Sequence, residues 1–152
     1  MSISGRIGAA IVLCVGAVAG LAAQEPTAPR QLSAAETGCD SARPPASDPV
    51  FQADSVDRPA RAPYVRVTEL PYRMREVQTG RTMLQFVVDP EGRVERCTIA
   101  LVEESSSEWT AAVLPELRKA RFEPARKDGR TVRQLVYQLF TYHSDGRSAV
   151  SQ

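Results

Sequence analysis

The sequence has very little histidine and almost no net charge. Its single histidine is His143, and its 19 Lys and Arg residues are balanced by 18 Asp and Glu residues, which leaves a formal net charge of +1. Proteins that bind nucleic acid usually carry a clear basic excess, so this charge gives no support for a nucleic-acid partner. No cysteine–histidine spacing suits zinc either. We therefore expect no nucleic-acid partner and no metal site.

Motifs for catalysis and cofactor binding are also missing. The run Ser105-Ser106-Ser107 lies outside any G-x-S-x-G turn, and the chain has no glycine-rich phosphate loop. Glu103, Glu104 and Glu108 lie where a strand is predicted to end and a helix to begin, and acidic residues there favour the helix dipole. His143 comes after the last predicted strand and is interpreted as an exposed end rather than a base. We expect neither enzymatic activity nor a cofactor.

The first residues have the composition of an export signal. Arg6 provides a short positive start, and residues 7–19 are an unbroken run of apolar and small side chains. Small residues follow, so residues 1–23 are predicted to be a signal peptide, cleaved after Ala22 or Ala23, and the protein is predicted to be periplasmic. The alternative is an uncleaved inner-membrane anchor, since an apolar run of about 17 residues is at the lower limit for crossing a bilayer. Only in that case is the membrane itself a partner.

Export also decides how the cysteines are interpreted. Removal of the signal takes away Cys14 and leaves Cys39 and Cys97. Two cysteines in an oxidising compartment can form a disulfide. Closing a loop of roughly sixty residues would contribute about 4 kcal/mol to stability in chain-entropy models. The other interpretation is a buried free Cys97 with a solvated Cys39, and the sequence leaves both open.

Residues 24–58 have no helical period and little alternation. Proline, alanine and serine dominate this stretch. Such a segment buries too little apolar surface to offset its ordering entropy, so it is predicted to be a linker. Phe51 and Val56 are its candidates for docking on the domain that follows. At the other end of the chain, residues 144–152 are expected to be a flexible tail.

The folded part is predicted to open with a short helix. Leu70, Met74 and Val77 recur at i, i+4 and i+7, and Pro71 is of the type favoured at the first helical position. The helix is therefore predicted over residues 71–77.

A β-hairpin is the best-supported element of the chain. Residues 82–88 are rich in β-formers, and the segment Asp89-Pro90-Glu91-Gly92 has proline and glycine at the second and fourth positions of a turn. A second strand follows the turn. In each strand the predicted apolar face has three residues: Leu84, Phe86 and Val88 in the first, and Cys97, Ile99 and Leu101 in the second.

A second helix and a last strand complete the domain. Residues 105–108 offer capping oxygens ahead of an amphipathic helix, in which Pro115 is expected to cause a kink or a restart. Trp109 and Phe122 are expected to pack this helix on the sheet. Residues 132–142 are predicted to be a long strand. The order of elements predicts an α+β domain over residues 59–143, with a three-stranded antiparallel sheet packed by two helices.

Three pieces of this sequence, in this order, resemble the TonB C-terminal domain family. The first is Leu70-Pro71, where the family usually has Tyr-Pro. The second is Gly80…Phe86-Val87-Val88-Asp89…Gly92-Arg93-Val94, close to the family pattern G-x-V-x-V-x-F-x-V-D-x-x-G-x-V. The third is Arg121-Phe122-Glu123-Pro124-Ala125, followed by Gly129 and Val132, close to R-F-x-P-A…G-x-x-V. The resemblance implies a TonB C-terminal-like fold and a binding module.

The resemblance also implies a binding site. In the family the last strand is an open sheet edge, which accepts a short extended peptide, the TonB box of a receptor, as an added strand. The partner would be an outer-membrane TonB-dependent receptor or another envelope protein, and the function would be associated with TonB-dependent transport across the outer membrane. The implied peptide-binding residues are Val132, Arg133, Gln134, Leu135, Val136, Tyr137, Gln138, Leu139 and Phe140.

Two other functions stay open at this point. A structural envelope domain that has kept the fold could pair with itself as a homodimer, or with its own front segment. A membrane-anchored energy transducer would require an uncleaved N-terminal segment. Its linker of about 35 residues would reach about 110 Å as polyproline II and about 35 Å as a random coil.

Overall fold

The computed structural model describes residues 28–40, 42, 46–63, 65, 67, 79–143 and 148–151. The predicted signal peptide and the predicted helix over residues 71–77 lie outside these residues. Within them, no helix is long and apolar enough to cross a membrane. The elements are β1 Arg30–Gln31, α1 Ala34–Thr37, β2 Val50–Phe51, a 3-10 helix Ala53–Ser55, β3 Thr79–Val88, β4 Val94–Glu104, α2 Ser107–Lys119, β5 Ala125–Lys127, β6 Arg130–His143 and β7 Ser148–Ser151.

Three long antiparallel strands form the centre of the sheet. β3 pairs with β4 on one side and with β6 on the other, in a register that places Gly80 opposite Tyr142 and Val88 opposite Gln134. In the described part of the chain, four short strands extend this centre: β1 beside β4, and β2, β5 and β7 beside β6. The α+β class is therefore confirmed, and the predicted three strands are the centre of a larger sheet. That sheet is mixed, because β2 runs parallel to β6.

The turn between β3 and β4 has the predicted chemistry. The N–H of Gly92 donates to the carbonyl of Asp89 at 3.0 Å, and Oδ1 of Asp89 accepts from the N–H groups of Glu91 and Arg93 at 2.9 and 2.8 Å. Gly92 has a φ of +77°, and a Cβ at this position would lie 2.1 Å from the carbonyl oxygen of Phe122. The turn therefore needs glycine both for its backbone angle and for the close approach of the chain that leaves α2.

An irregular stretch of β4 changes the face on which Cys97 lies. Gln85 of β3 pairs with Ala100, whereas Val87 pairs with Glu95, so two steps along β3 correspond to five along β4. Extra residues of this kind form a bulge, which redirects side chains. Cys97 lies in this bulge and is exposed. Its predicted place on the apolar face is therefore wrong, because simple alternation does not continue through the bulge.

The core lies between α2 and one face of the sheet. Trp109 is 1% exposed, and its indole N–H donates to the carbonyl of Phe140 at 3.2 Å. Its ring also packs against Tyr142, with ring centroids 5.6 Å apart, while Phe122 meets Phe86 edge to face at 5.5 Å. The predicted packing of Trp109 and Phe122 on the sheet is confirmed, with Trp109 against β6 and Phe122 against β3. Other buried members of the core are Leu84, Val88, Ile99, Leu101, Val113, Leu117 and Val136.

α2 is one continuous helix that runs through Pro115. Its N-cap is Ser106, whose Oγ accepts a hydrogen bond from the N–H of Trp109 at 3.3 Å, as the capping residues predicted. Of the expected kink or restart at the proline, the restart does not occur. A proline removes one backbone hydrogen bond of the preceding turn, but Leu114 and Leu117 on either side of it are buried and hold the helix on the sheet.

Parts of the predicted linker are ordered by pairing with the domain, although most of their side chains are exposed. α1 lies within it, and its N-cap Ser33 forms a capping box with Glu36: Oγ accepts from the N–H of Glu36 at 3.3 Å, and the Glu36 carboxylate accepts from the N–H of Ser33 at 2.8 Å. β1 pairs with β4, and β2 pairs with β6. The prediction rested on the small apolar content of this segment, and composition does not show which backbone hydrogen bonds a segment can make. Backbone hydrogen bonds to the sheet order it here.

Candidate functional site

The predicted peptide-binding residues 132–140 lie within β6. β3 pairs with β6 from Gln134 to His143, so one edge of this strand is used inside the sheet. The opposite edge of β6, called the outer edge from here on, is the one on which a further strand can be added. Two short segments of the same chain lie on it.

β2 covers the start of the outer edge. Val50 lies opposite Arg133 and Phe51 lies opposite Gln134, with the two strands parallel. The side chain of Phe51 is half-buried, so its predicted docking on the domain is confirmed. Val56 docks as well, since it packs against the core.

β7 covers the far end of the outer edge. Ser151 lies opposite Leu139 and Ser148 lies opposite Tyr142, with the strands antiparallel. Because β3 pairs with the same part of β6, β7 must lie on the opposite side of the strand. Residues 148–151 of the expected flexible tail are therefore a strand, which β6 orders through backbone hydrogen bonds.

The middle of the outer edge lies between these two segments. Leu135 and Val136 are half-buried and buried, and Tyr137 is 48% exposed. No described strand pairs with these three residues on this side. The protein's own segments satisfy backbone groups towards both ends of residues 132–140, so in the described part of the chain only the middle of this edge is uncovered, and peptide binding along it stays a prediction.

Arg133 holds the chain just before β2 against β6. Its side chain is 5% exposed and makes two hydrogen bonds of 2.6 Å to the carboxylate of Glu95, from Nε to Oε1 and from Nη2 to Oε2. Nη1 donates to the carbonyls of Ala46, at 2.9 Å, and of Asp48. The hydrogen bond to the Glu95 carboxylate raises the pKa of Arg133 above its ordinary value, so the guanidinium stays charged. A residue predicted to contact a foreign peptide therefore binds the protein's own backbone.

Phe51 lies at a shallow pocket beside the β5–β6 hairpin. The pocket has a volume of about 340 Å³ and is lined by Phe51, Lys127, Asp128, Arg130 and Val132. Nζ of Lys127 lies 5.4 Å from the centroid of the Phe51 ring, and it donates to the carbonyl of Ser55 at 2.8 Å. One lysine thus contacts both the aromatic ring and the turn that follows it.

After this turn the chain continues along β5. Arg58 and Arg126 exchange backbone hydrogen bonds of 3.1 and 2.8 Å. The N–H of Ala60 donates to Oε1 of Gln134 at 2.6 Å. Gln134 is another residue that was predicted to contact a peptide, and in the structure its buried side-chain amide accepts this hydrogen bond from Ala60. Residues 46–61, which make these contacts, are called the strap below.

Cys39 and Cys97 are joined by a disulfide in the structure, with their Cα atoms 4.7 Å apart. The bulge in β4 exposes Cys97 at the surface, where Cys39 meets it. The disulfide and the Arg58–Arg126 pair hold the chain at both ends of residues 40–57. β2 lies inside this closed loop, so both ends of its segment are kept close to the sheet.

The residues considered for catalysis make contacts that stabilise the fold. Ser106 caps α2, and Oε2 of Glu104 accepts from the hydroxyl of Thr110 at 2.6 Å. His143 is exposed at the end of β6, opposite Thr79. Over the described ranges, no three His, Cys, Asp or Glu side chains are grouped so that they could hold a metal ion.

Residues 72–143 match the family model of the Gram-negative bacterial TonB protein C-terminal region. The resemblance found in the sequence is thereby confirmed over this range, which contains β3, β4, α2, β5 and β6. The strap, Cys39 and β7 lie outside it. A comparison with curated proteins finds no match.

Proposed function

We propose, from the match of residues 72–143 to the TonB C-terminal family, that the protein is a non-catalytic periplasmic module of TonB-dependent transport that binds an extended peptide on the outer edge of β6. The peptide would come from an outer-membrane TonB-dependent receptor or another envelope protein. The observation that carries the proposal is that this edge already accepts two strands, β2 in parallel and β7 antiparallel. An edge that accepts strands of either direction presents the backbone groups that strand addition requires.

The middle of the outer edge is the natural place for first contact. Tyr137 exposes an amphipathic ring, and Leu135 and Val136 lie next to it in the same strand. Aromatic rings of this kind contribute large contact areas at peptide interfaces. From there an added strand would grow towards either end of residues 132–140 by replacing a segment of the chain itself.

The test is a titration of the protein, purified from the cell envelope, with a synthetic TonB-box peptide, followed by backbone amide shifts. Binding by strand addition should shift the amides of residues 135–137 first. The matched control is the same peptide with proline at alternate positions, because proline cannot donate to a ladder of backbone hydrogen bonds. Equal shifts with both peptides, or no shift along β6 with either, would exclude strand addition.

One observation favours a second function. β2 covers the start of the outer edge in cis, as expected of a structural domain that pairs with its own front segment. In that case the titration leaves β6 unchanged and the protein keeps the size of a monomer at every concentration. A homodimer formed through the same edge would instead give a size that rises with concentration, as measured by light scattering.

A membrane-anchored energy transducer has little support from the path of the chain. Arg30 already pairs with Leu101, so an anchor ending at residue 23 would be connected by only about seven residues. Such a tether spans at most about 25 Å when fully extended, far less than the reach of a free linker. This length favours release by cleavage or a position beside the inner membrane. The N-terminal residue of protein purified from the envelope distinguishes the two, because a cleaved chain begins near Gln24.

A further inference from the structure

We propose that the strap is a built-in ligand of the outer edge, and that a partner peptide binding at the start of β6 must replace it, running parallel to β6 with an aromatic residue in the place of Phe51. This inference rests on the proposed function and names the chemistry of its ligand. The parallel direction follows from the register of β2, in which Val50 and Phe51 advance along Arg133 and Gln134.

The contacts of the strap define which ligand the site accepts. The hydrogen bonds from Arg133 to the strap go to main-chain carbonyls, those of Ala46 and Asp48, and any peptide offers such acceptors. Phe51 is the one side chain of β2 that lines the pocket, whereas Val50 is 41% exposed. The site therefore binds a peptide with an extended backbone and one aromatic side chain. The residue in the place of Val50 can vary.

Arg133 is held ready for such a ligand whether or not the strap is in place. The carboxylate of Glu95 accepts hydrogen bonds from Nε and Nη2 of Arg133 in a buried, bidentate pair, which keeps the guanidinium fixed. Nη1 of Arg133 is then directed at the strap, to which it donates. A buried charged donor that loses its acceptor is costly. An incoming peptide must therefore supply carbonyls at the same place as those of Ala46 and Asp48.

The closed loop makes the strap a strong competitor even though β2 is only two residues long. Its ends are held by the Cys39–Cys97 disulfide and by the Arg58–Arg126 pair. A segment tethered by short linkers has an effective concentration on the order of mM. If the strap leaves the edge free for about a tenth of the time, a free peptide binds about ten-fold more weakly than to an uncovered edge.

The experiment uses a labelled synthetic peptide with the sequence of residues 46–52, Ala-Ser-Asp-Pro-Val-Phe-Gln. Its dissociation constant is measured by fluorescence anisotropy with the envelope-purified protein, with Phe51→Ala, and with the matched control Val50→Ala. Phe51→Ala removes the ring that lines the pocket and leaves Arg133 and β6 unchanged. We expect it to bind the peptide about ten-fold more tightly than the other two proteins. A double variant, Val50→Ser with Phe51→Ser, should bind at least as tightly and provides a second measurement if Phe51→Ala folds poorly.

Orientation is tested with a spin label on either end of the same peptide bound to Phe51→Ala. Parallel binding places the C-terminal label near Tyr137 and the N-terminal label near Thr131, and relaxation of their amide signals reports both. The opposite pattern would overturn the parallel assignment.

The outcomes separate this inference from the proposed function. Equal affinity for all variants, together with shifts from the TonB-box peptide, would overturn competition by the strap and leave strand capture standing. Binding of the TonB-box peptide without any binding of the 46–52 peptide would overturn the role of the strap as a ligand. If neither peptide binds even to Phe51→Ala, both the inference and the proposed function fail.

Discussion

Arg133 of β6 and Glu95 of β4 form a bidentate ion pair with two hydrogen bonds of 2.6 Å, although β3 lies between their strands. The pair therefore joins two strands that are not neighbours, next to the turn at which β3 ends. It also fixes the one guanidinium nitrogen that contacts the strap. A single buried contact thus connects the stability of the sheet with the occupation of its outer edge.

We expect Glu95→Ala to lower the free energy of unfolding by about 3 kcal/mol, because it leaves the buried charge of Arg133 without its partner. The matched control is Glu123→Ala, which removes an ion pair with Arg58 whose side chains are 50% and 58% exposed. Exposed pairs of this kind contribute less than about 1 kcal/mol. Urea unfolding of both variants measures the difference, and similar losses for the two would contradict a special role for Arg133.

The disulfide should be formed in the exported protein and should stabilise it. Mass spectrometry of unreduced, alkylated protein is expected to show no alkylated Cys39 or Cys97. Cys39→Ser should lower the free energy of unfolding by about 4 kcal/mol, the chain-entropy value for a loop of this length. Cys97→Ser is the matched control, because it opens the same loop. A free thiol at either position in the native protein would contradict the prediction.

Gly92→Ala should be far more destabilising than Gly129→Ala. Both glycines have positive φ, +77° and +74°, so both substitutions cost about 1–2 kcal/mol from the backbone alone. At Gly92 the new Cβ also meets the carbonyl of Phe122, whereas at Gly129 it meets nothing within 4 Å. Thermal unfolding of the two variants isolates the contribution of the close approach, and equal melting temperatures would show that the turn and Phe122 are not in contact.

α1 should weaken at acid pH. The hydrogen bonds from Ser33 hold the pKa of the Glu36 carboxyl below its usual range. A lowered pKa in the folded state contributes stability that is present above the ordinary pKa of glutamate and is lost as the pH falls through the lowered value. The protection factors of the α1 amides, which are exchange rates corrected for the intrinsic effect of pH, should therefore fall on acidification. In Glu36→Gln the protection factors should be largely independent of pH over the same range, and an unchanged pH response there would contradict the assignment.

The central part of the fold could be predicted because its signals are local. The hairpin of β3 and β4 is contained in alternation over a few residues and in a turn with proline and glycine at defined positions. The cap at Ser106 and the packing of Trp109 follow from the composition of one amphipathic segment. In such cases neighbouring residues carry the signal, because alternation, turn residues and capping residues can be recognised before their distant partners are known.

The covering of the outer edge could not be predicted in the same way. β2 and β7 are two and four residues long, too short for a periodic pattern, and they are ordered by pairing with β6. The bulge that exposes Cys97 is likewise a product of how β4 pairs with β3. Only Phe51 and Val56 gave a signal, as the apolar side chains of a polar segment.

The α+β domain, its core and its resemblance to the TonB C-terminal family over residues 72–143 could thus be predicted from the sequence, because burial periodicity and turn chemistry are properties of adjacent residues. Only the tertiary structure decided which backbone lies on the outer edge of β6, whether Arg133 faces solvent or the strap, and how Cys39 meets Cys97. Those outcomes depend on contacts between residues dozens of positions apart, and pairing over such distances is settled when the sheet assembles.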